Sequence, residues 1–359
     1  MSWFKNTFEI SHSAQKAIIT MEGIRGFAVF LVFLVHYVTL AEPWIKEGST
    51  TYLISEQLRN IGNVGVDLFF VLSGYLIYGM LIKKNSPFGS YFSRRVQRIY
   101  PTFTVVFIIY LLLSVIFPRE SKIPDGWDGV IFVIQNFLLL PGLFDIEAII
   151  TVAWSLSYEL FYYLFIPMLI ALFRLRSWPA LNRIVFFILL SIIFFWYFAI
   201  YGGHIRLLMF SSGILLFETT TAKLIKKLPP IGLPALVMAI ATVVILNAFD
   251  ANGWWKYALL YCLFFIFCLE CFISSGITTR IFSFAPMRWL GNMSYSYYLV
   301  HSLALRFVFL VIEKIYPAQH SDIWFFWVLL PLMLFFTLIP SAMLFIFVEK
   351  PFSLVRKPI

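Results

Sequence analysis

An all-α, polytopic membrane helix bundle is the fold class this sequence predicts, and three observations predict it. Of 359 residues, 61% are hydrophobic and only 13% charged. The mean hydropathy of +0.88 is too high for a soluble domain of this length, so lipid has to be the solvent for most of its surface. Apolar runs near the ~20 residues that a helix needs to cross the hydrocarbon recur along nearly the whole chain. Lys and Arg are scattered over the short segments between those runs, where they set orientation, so the net charge of +9 implies no nucleic-acid partner.

Taken in order, runs bounded by charge, Pro or Gly place spans near 18–42, 61–82, 99–117, 152–173, 184–201, 205–218, 231–249, 256–275, 289–312 and 323–348, about ten crossings. Lys5 and Lys16 precede the first run, and no small-residue cleavage site follows it, so it reads as a span and not as a removable signal. The stretch 128–146, interrupted by Gln135, Asn136, Pro141 and Gly142, is too short for a crossing and reads as a re-entrant or interfacial segment. With the N-terminus cytoplasmic, eighteen of the 27 Lys and Arg fall on the inner side, seven on the outer side and two within spans. That bias puts both termini in the cytoplasm. One membrane domain over 1–359 accounts for the chain, with no internal repeat and no appended soluble domain. Cys262, Cys268 and Cys271 share one apolar run, without metal-ligand spacing, and read as packing residues.

Ionisable groups inside a span cost roughly 2.5–3.5 kcal/mol at the helix centre, so each needs a partner or a wet cavity. Arg25 and His36 are eleven positions apart in the first run, which puts them on one helical face about 16 Å apart along the axis. Glu22, one turn before Arg25, offers a simpler account of that arginine as half of a structural ion pair. Asp67 and Glu159 fall at a depth comparable to His36, each roughly 10 Å inside the outer end of its span. A carboxylate against an imidazole fixes its tautomer and stabilises its cation, as general-base chemistry requires; the alternative for both acids is bracing of helices.

Lys83, Lys84, Arg94, Arg95 and Arg98 lie between the second and third spans. The arginine spacing suits bidentate donation to phosphate, and it equally suits a topology signal or a lipid-headgroup contact. His301 follows a polar stripe from Ser294 to Tyr298 that either lines a cavity or ties helices together by hydrogen bonds. Ser73 and Gly74 are small enough for close helix approach. His12, His204 and His320 fall near surfaces and receive no role.

Six motifs, running in order from residue 22 to 352, resemble the acyltransferase-3 family: EGIRGFAVFLVFLVHY, GNVGVDLFFVLSGYLI, SYFSRRVQRIYP, WSLSYELFYYLFIP, GNMSYSYYLVH and FVEKP. The resemblance implies a ten-helix protein of the bacterial inner membrane that moves an acyl group, usually acetyl, from cytoplasmic acyl-CoA to a hydroxyl of an envelope or exported glycan. It assigns His36 as the central catalytic residue and Arg25 as its companion. Glu159, in the motif opened by Trp154, is the carboxylate it implies, and Arg94, Arg95 and Arg98 form the acyl-CoA phosphate site; Asp67 stays a second carboxylate candidate from the depth reading alone. Ser73, Trp154, Ser294 and His301 are expected to line the cavity. No bound cofactor or metal is expected; acyl-CoA, a glycan or lipid-linked sugar and membrane lipids are the implied partners. Relatives often carry a second acid after the motif glutamate where this chain has Leu160, and without a fused esterase-like domain transfer is direct or uses a separate extracytoplasmic partner. Competing classes are a transporter or flippase for a lipid-linked glycan, which also needs intramembrane Arg, His and Asp, and a non-enzymatic scaffold of an envelope complex.

Overall fold

The computed structural model describes residues 2–10, 16–251, 253–318 and 323–354, which form helices and connecting loops with no β-strand among them. His12, His320, Arg356 and Lys357 lie outside the described residues. After a short helix α1 (Ser2–Phe8), the order is α2 (Lys16–Ala41), α3 (Thr50–Asn63), α4 (Gly65–Lys83), α5 (Phe88–Ile116), α6 (Gly126–Phe137), α7 (Trp154–Leu172) and α8 (Ala180–Tyr201). Then come α9 (Leu208–Thr221), α10 (Gly232–Ala248), α11 (Trp254–Ile273), α12 (Ile277–Phe282), α13 (Ala285–Asn292), α14 (Ser294–Ile315) and α15 (Ile323–Leu344). Past Leu344 the chain winds into a π-helical stretch, Phe345–Leu354.

Among the described residues, seven helical stretches are long and apolar enough to cross a membrane: Ile18–Trp44, Thr50–Lys83, Phe88–Ile116, Thr151–Leu172, Ala180–Tyr201, Trp254–Ile273 and Trp324–Leu354. The expected crossings 205–218, 231–249 and 289–312 fold as helices that miss this measure. α9 has 14 residues and α10 has 17, while α14 has 22 but carries His301, Arg306, Glu313 and Lys314. The stretch 128–146 contains a 12-residue helix, α6, followed by turns.

Two starts differ from the sequence reading, and both matter for the site. The second span is broken at Val64, where α3 ends and α4 begins, so Asp67 sits in the first turn of α4 and not two turns deep. The third helix starts at Phe88, directly after Pro87, so Arg94, Arg95 and Arg98 lie on α5 and not in a loop; the φ fixed by proline suits a helix entry.

Burial sorts the helices. In the most apolar window of α2 61% of residues are buried inside the protein, against 11% for α8 and 28% for α5; the first is a central strut and the other two turn apolar surface outward, as a lipid-facing helix does. The central crossings depend on glycine. A Cβ on Gly74 of α4 would fall 2.0 Å from the carbonyl oxygen of Phe210, and one on Gly213 of α9 would fall 1.9 Å from that of Val71. These two glycines let the backbones of α4 and α9 touch, which is how helices associate where burial from water supplies no drive.

Candidate active site

Between α2, α4, α5, α7 and α14 lies a cavity, and Arg25, Arg95, Arg98 and Glu159 all line it. Ser73, Ser155, Tyr163, Ser294, Tyr295 and Tyr298 add polar groups, while Phe69, Phe70 and Leu72 supply an apolar wall. Arg95 and Arg98 face the cavity because they stand three apart on α5; Arg94 turns away and donates to Ser90 Oγ at 2.7 Å.

The cations of this cavity are unequally paired. Arg98 donates to Glu349 at 2.7 Å and lies over the Tyr295 ring at 5.5 Å. Glu349 is fully buried and also accepts from the Ser296 amide at 3.0 Å and its hydroxyl at 2.6 Å, so the π-helical stretch locks α5 to α14. Arg25 donates to Ser294 Oγ at 2.8 Å. Among the described residues, Arg95 reaches only the sulfur of Met80, at 3.6 Å, and the rings of Tyr163 and Tyr91 at 5.6 and 5.9 Å, with its Nε buried and unbonded. Among the described residues, no carboxylate stands within salt-bridge distance of Arg25 or Arg95. Glu159, half-buried on α7, accepts from the Tyr163 hydroxyl one turn later.

Several expected groupings change. Glu22 does not pair with Arg25: it bonds Arg288 of α13 at 2.9 Å, and Glu9 joins the same arginine at 3.1 Å. Asp67 is saturated by Arg206, with contacts of 2.8 and 2.9 Å, while Arg206 also donates to the Asn63 carbonyl at 2.5 Å and lies 5.3 Å above the Trp154 ring. Asp67, Trp154 and Arg206 therefore brace the end of α4, outside the cavity lining. The contacts divide His36, Asp67 and Glu159: Glu159 lines the cavity with Arg25 and Arg95, Asp67 pairs with Arg206 in the first turn of α4, and His36 has His301 as its ring neighbour at 5.0 Å. The polar stripe of α14 divides between its two readings. Ser294, Tyr295 and Tyr298 line the cavity, whereas Ser296 and Tyr297 tie helices together, Tyr297 meeting Thr337 at 2.7 Å. Gly74 packs and Ser73 lines. Cys268 and Cys271 are buried and free, and Cys262 is exposed.

Sequence reasoning missed Tyr163 as part of this site, and it placed Glu349 and Ser155 within motifs without giving either a role. Glu349 was visible as an isolated acid in an apolar run; its partner, 251 positions away, was not. Tyr298 shares a hydrogen bond with Ser155 at 2.7 Å and lies 6.2 Å from His301, so one ring both lines the cavity and neighbours the histidine pair.

The fold and the cavity define an apolar helix bundle with a polar interior site, and the sequence match specifies its class. Residues 18–346 match the acyltransferase-3 family, described as "Acyltransferase domain", and the chain belongs to it. It is 30% identical over 162 residues to acyltransferase MdmB of Streptomyces mycarofaciens, covering 43% of this chain and 40% of that protein. It is 25% identical over 382 residues to the peptidoglycan O-acetyltransferase OatA of Listeria monocytogenes, covering 96% of this chain and 56% of the relative. The O-acetyltransferase OatA of Staphylococcus aureus is 25% identical over 325 residues, 80% of this chain and 50% of that protein. The chain thus spans about half the length of these curated relatives. No solved structure matches it.

Proposed function

We propose that this protein is a membrane-bound O-acyltransferase that takes an acyl group, in the first instance acetyl, from cytoplasmic acyl-CoA and delivers it to a hydroxyl of an envelope glycan or lipid-linked sugar. The observation that carries this reading is the pair of under-partnered guanidiniums, Arg25 and Arg95, lining a cavity that also exposes Glu159. A cation without a carboxylate in a low-dielectric setting is costly to keep unless an anion is meant to join it. The phosphates of an acyl-CoA are such an anion, and guanidinium forks match them bidentately. Arg95 and Arg98 would hold the donor, and the apolar wall of Phe69, Phe70 and Leu72 suits the thioester arm. His36 would act on the reacting groups either as base toward the acceptor hydroxyl or as transient carrier of the acyl group. The Listeria relative is a peptidoglycan O-acetyltransferase, which supports a cell-wall or related glycan as acceptor. In this reading the protein sits in the inner membrane with its termini and the α5 arginines on the cytoplasmic side, where CoA is found, and a separate extracytoplasmic protein completes transfer if the glycan is remote.

The test is acetyl-CoA consumption by purified protein in proteoliposomes with an oligosaccharide acceptor, paired with mass spectrometry of surface glycans from cells with and without the protein. Thioester cleavage together with an acyl-sized mass difference is the expected result. Solute movement without thioester cleavage would reassign the cavity to transport.

A further inference from the structure

Two imidazoles meet beside the cavity, next to Tyr298 of its lining. His301 of α14 is fully buried, and its Nδ1 lies 2.9 Å from the carbonyl of Tyr297, one turn earlier on its own helix. A carbonyl oxygen only accepts, so Nδ1 carries the proton, and the neutral ring presents Nε2 as a bare lone pair. That nitrogen is buried and, among the described residues, has no hydrogen-bond partner, a state that forfeits the solvation water would give it. Tyr297 stacks on one face of the ring at 5.2 Å. With the face covered and the Nδ1 edge committed to α14, the Nε2 edge is left for a group from another helix. The neighbouring ring from another helix is His36 of α2, its centre 5.0 Å away with the planes at 70°.

We propose that His301 is a positioning residue for His36, its Nε2 accepting the N–H of the His36 ring. This rests on the acyl-transfer reading given above. The half-buried His36 needs only rotation about its own side-chain torsions to bring a nitrogen within hydrogen-bonding reach. Whether His36 acts as base or as carrier, one of its nitrogens has to be unprotonated and turned to the reacting group, so the other holds the proton and requires an acceptor. A carboxylate is the usual acceptor; here a second imidazole stands in that place. In the general-base route the acceptor oxygen bonds to the acyl carbonyl carbon as the carbon–sulfur bond of the thioester breaks. The hydroxyl proton passes to the free nitrogen of His36 and from there to the departing thiolate. His301 keeps its own proton on Nδ1 throughout.

Two measurements on the full chain test this, one without turnover and one with it. Histidine-selective ¹⁵N spectra in lipid nanodiscs should report His301 as a neutral Nδ1–H tautomer whose Nε2 resonance moves in the His36→Ala variant. A proton on Nε2, or a resonance indifferent to His36→Ala, overturns the proposal. In the second measurement, acetyl transfer is compared among wild type, His301→Leu and His301→Gln. Leucine removes the acceptor and glutamine restores an acceptor oxygen near the former Nε2. The leucine variant should lose about 100-fold in kcat with the acetyl-CoA KM unchanged, and glutamine should recover about tenfold of that loss. Full activity in the leucine variant, or equal losses in both, overturns the proposal, because a merely structural ring would not distinguish them in this order. A wild-type protein that cleaves no thioester counts against the acyl-transfer reading, while the tautomer and its response to His36 still decide the histidine pair.

Discussion

Arginines meet carboxylates in two different ways in this bundle. Glu218, buried on α9, accepts from Arg183 at 2.6 and 2.9 Å and from the Tyr78 hydroxyl, and Arg183 spends a further donor on the Trp178 carbonyl at 2.5 Å. Every strong group there has a partner, and the cluster pins α4, α8 and α9. Around the cavity, Arg25 and Arg95 have a hydroxyl, a sulfur and aromatic rings for company, and Glu159 has one tyrosine. Protein interiors tolerate buried charge when it is saturated, so the saturated cluster is architecture, and the unsaturated one is where the proposed function places its ligand. Arg98 stands between the two, bonded to Glu349 yet lining the cavity.

The largest effects expected are catalytic and confined to the unsaturated side. His36→Ala or Glu159→Gln should lower acyl transfer by about 10³-fold or more, with protein levels in the membrane unchanged; radiolabelled acetyl incorporation measures this, and wild-type product from His36→Ala would remove the assigned chemistry. On the saturated side the expected loss is of stability. Arg183→Leu strands a buried carboxylate and should cost about 3–5 kcal/mol, read from thermal unfolding in detergent, with the turnover of the folded fraction intact. Arg183→Leu combined with Glu218→Leu should recover much of that loss, since an apolar pair leaves no charge unpartnered. If the single substitution instead spares stability and abolishes turnover, the division drawn between the two clusters fails.

Packing alone should give an intermediate effect. Gly213→Val places methyl groups where the Val71 carbonyl already stands 1.9 Å from an added Cβ. The α4–α9 crossing must open, at a cost of about 1–3 kcal/mol or more, visible as a lower unfolding temperature in the same assay.

How far the sequence carried this reading follows from the range of each interaction. Helix positions were legible because hydropathy is a local property: α8 lies within a few residues of the run 184–201. Arg25, Arg95, Arg98, Glu159, Ser73 and Ser294 were singled out in advance and line one cavity. Pairing was not legible, because it joins distant positions. Arg206 and Asp67 are 139 apart, and Glu22 and Arg288 are 266 apart. Depth counting failed for Asp67 because the break at Val64 resets the helix start. No periodicity announces that break, since both halves are helical and the residues beside it, Gly62 and Gly65, are tolerated within either.

The smallest expected effects fall on the arginines themselves and grade the comparison most finely. Arg95→Ala removes a cation that braces little, so it should raise the acyl-CoA KM about tenfold, consistent with ~1.5–3 kcal/mol for hydrogen bonds to charged groups, and leave the unfolding temperature near wild type. Arg98→Ala should do the same to KM but also lower stability, because Glu349 is left in the interior with only Ser296 as partner. Ser294→Ala deletes one neutral donor–acceptor partner of Arg25 and should cost only a few-fold in kcat/KM, about 1 kcal/mol. The ordering matters more than any single value. A ligand-facing cation moves KM alone, a cation with a foot in each cluster moves both quantities, and a hydroxyl that merely aims a guanidinium moves either one least. If Arg95→Ala destabilises the fold as much as Arg98→Ala, then Arg95 is structural and the cavity has lost its best anchor for a phosphorylated donor.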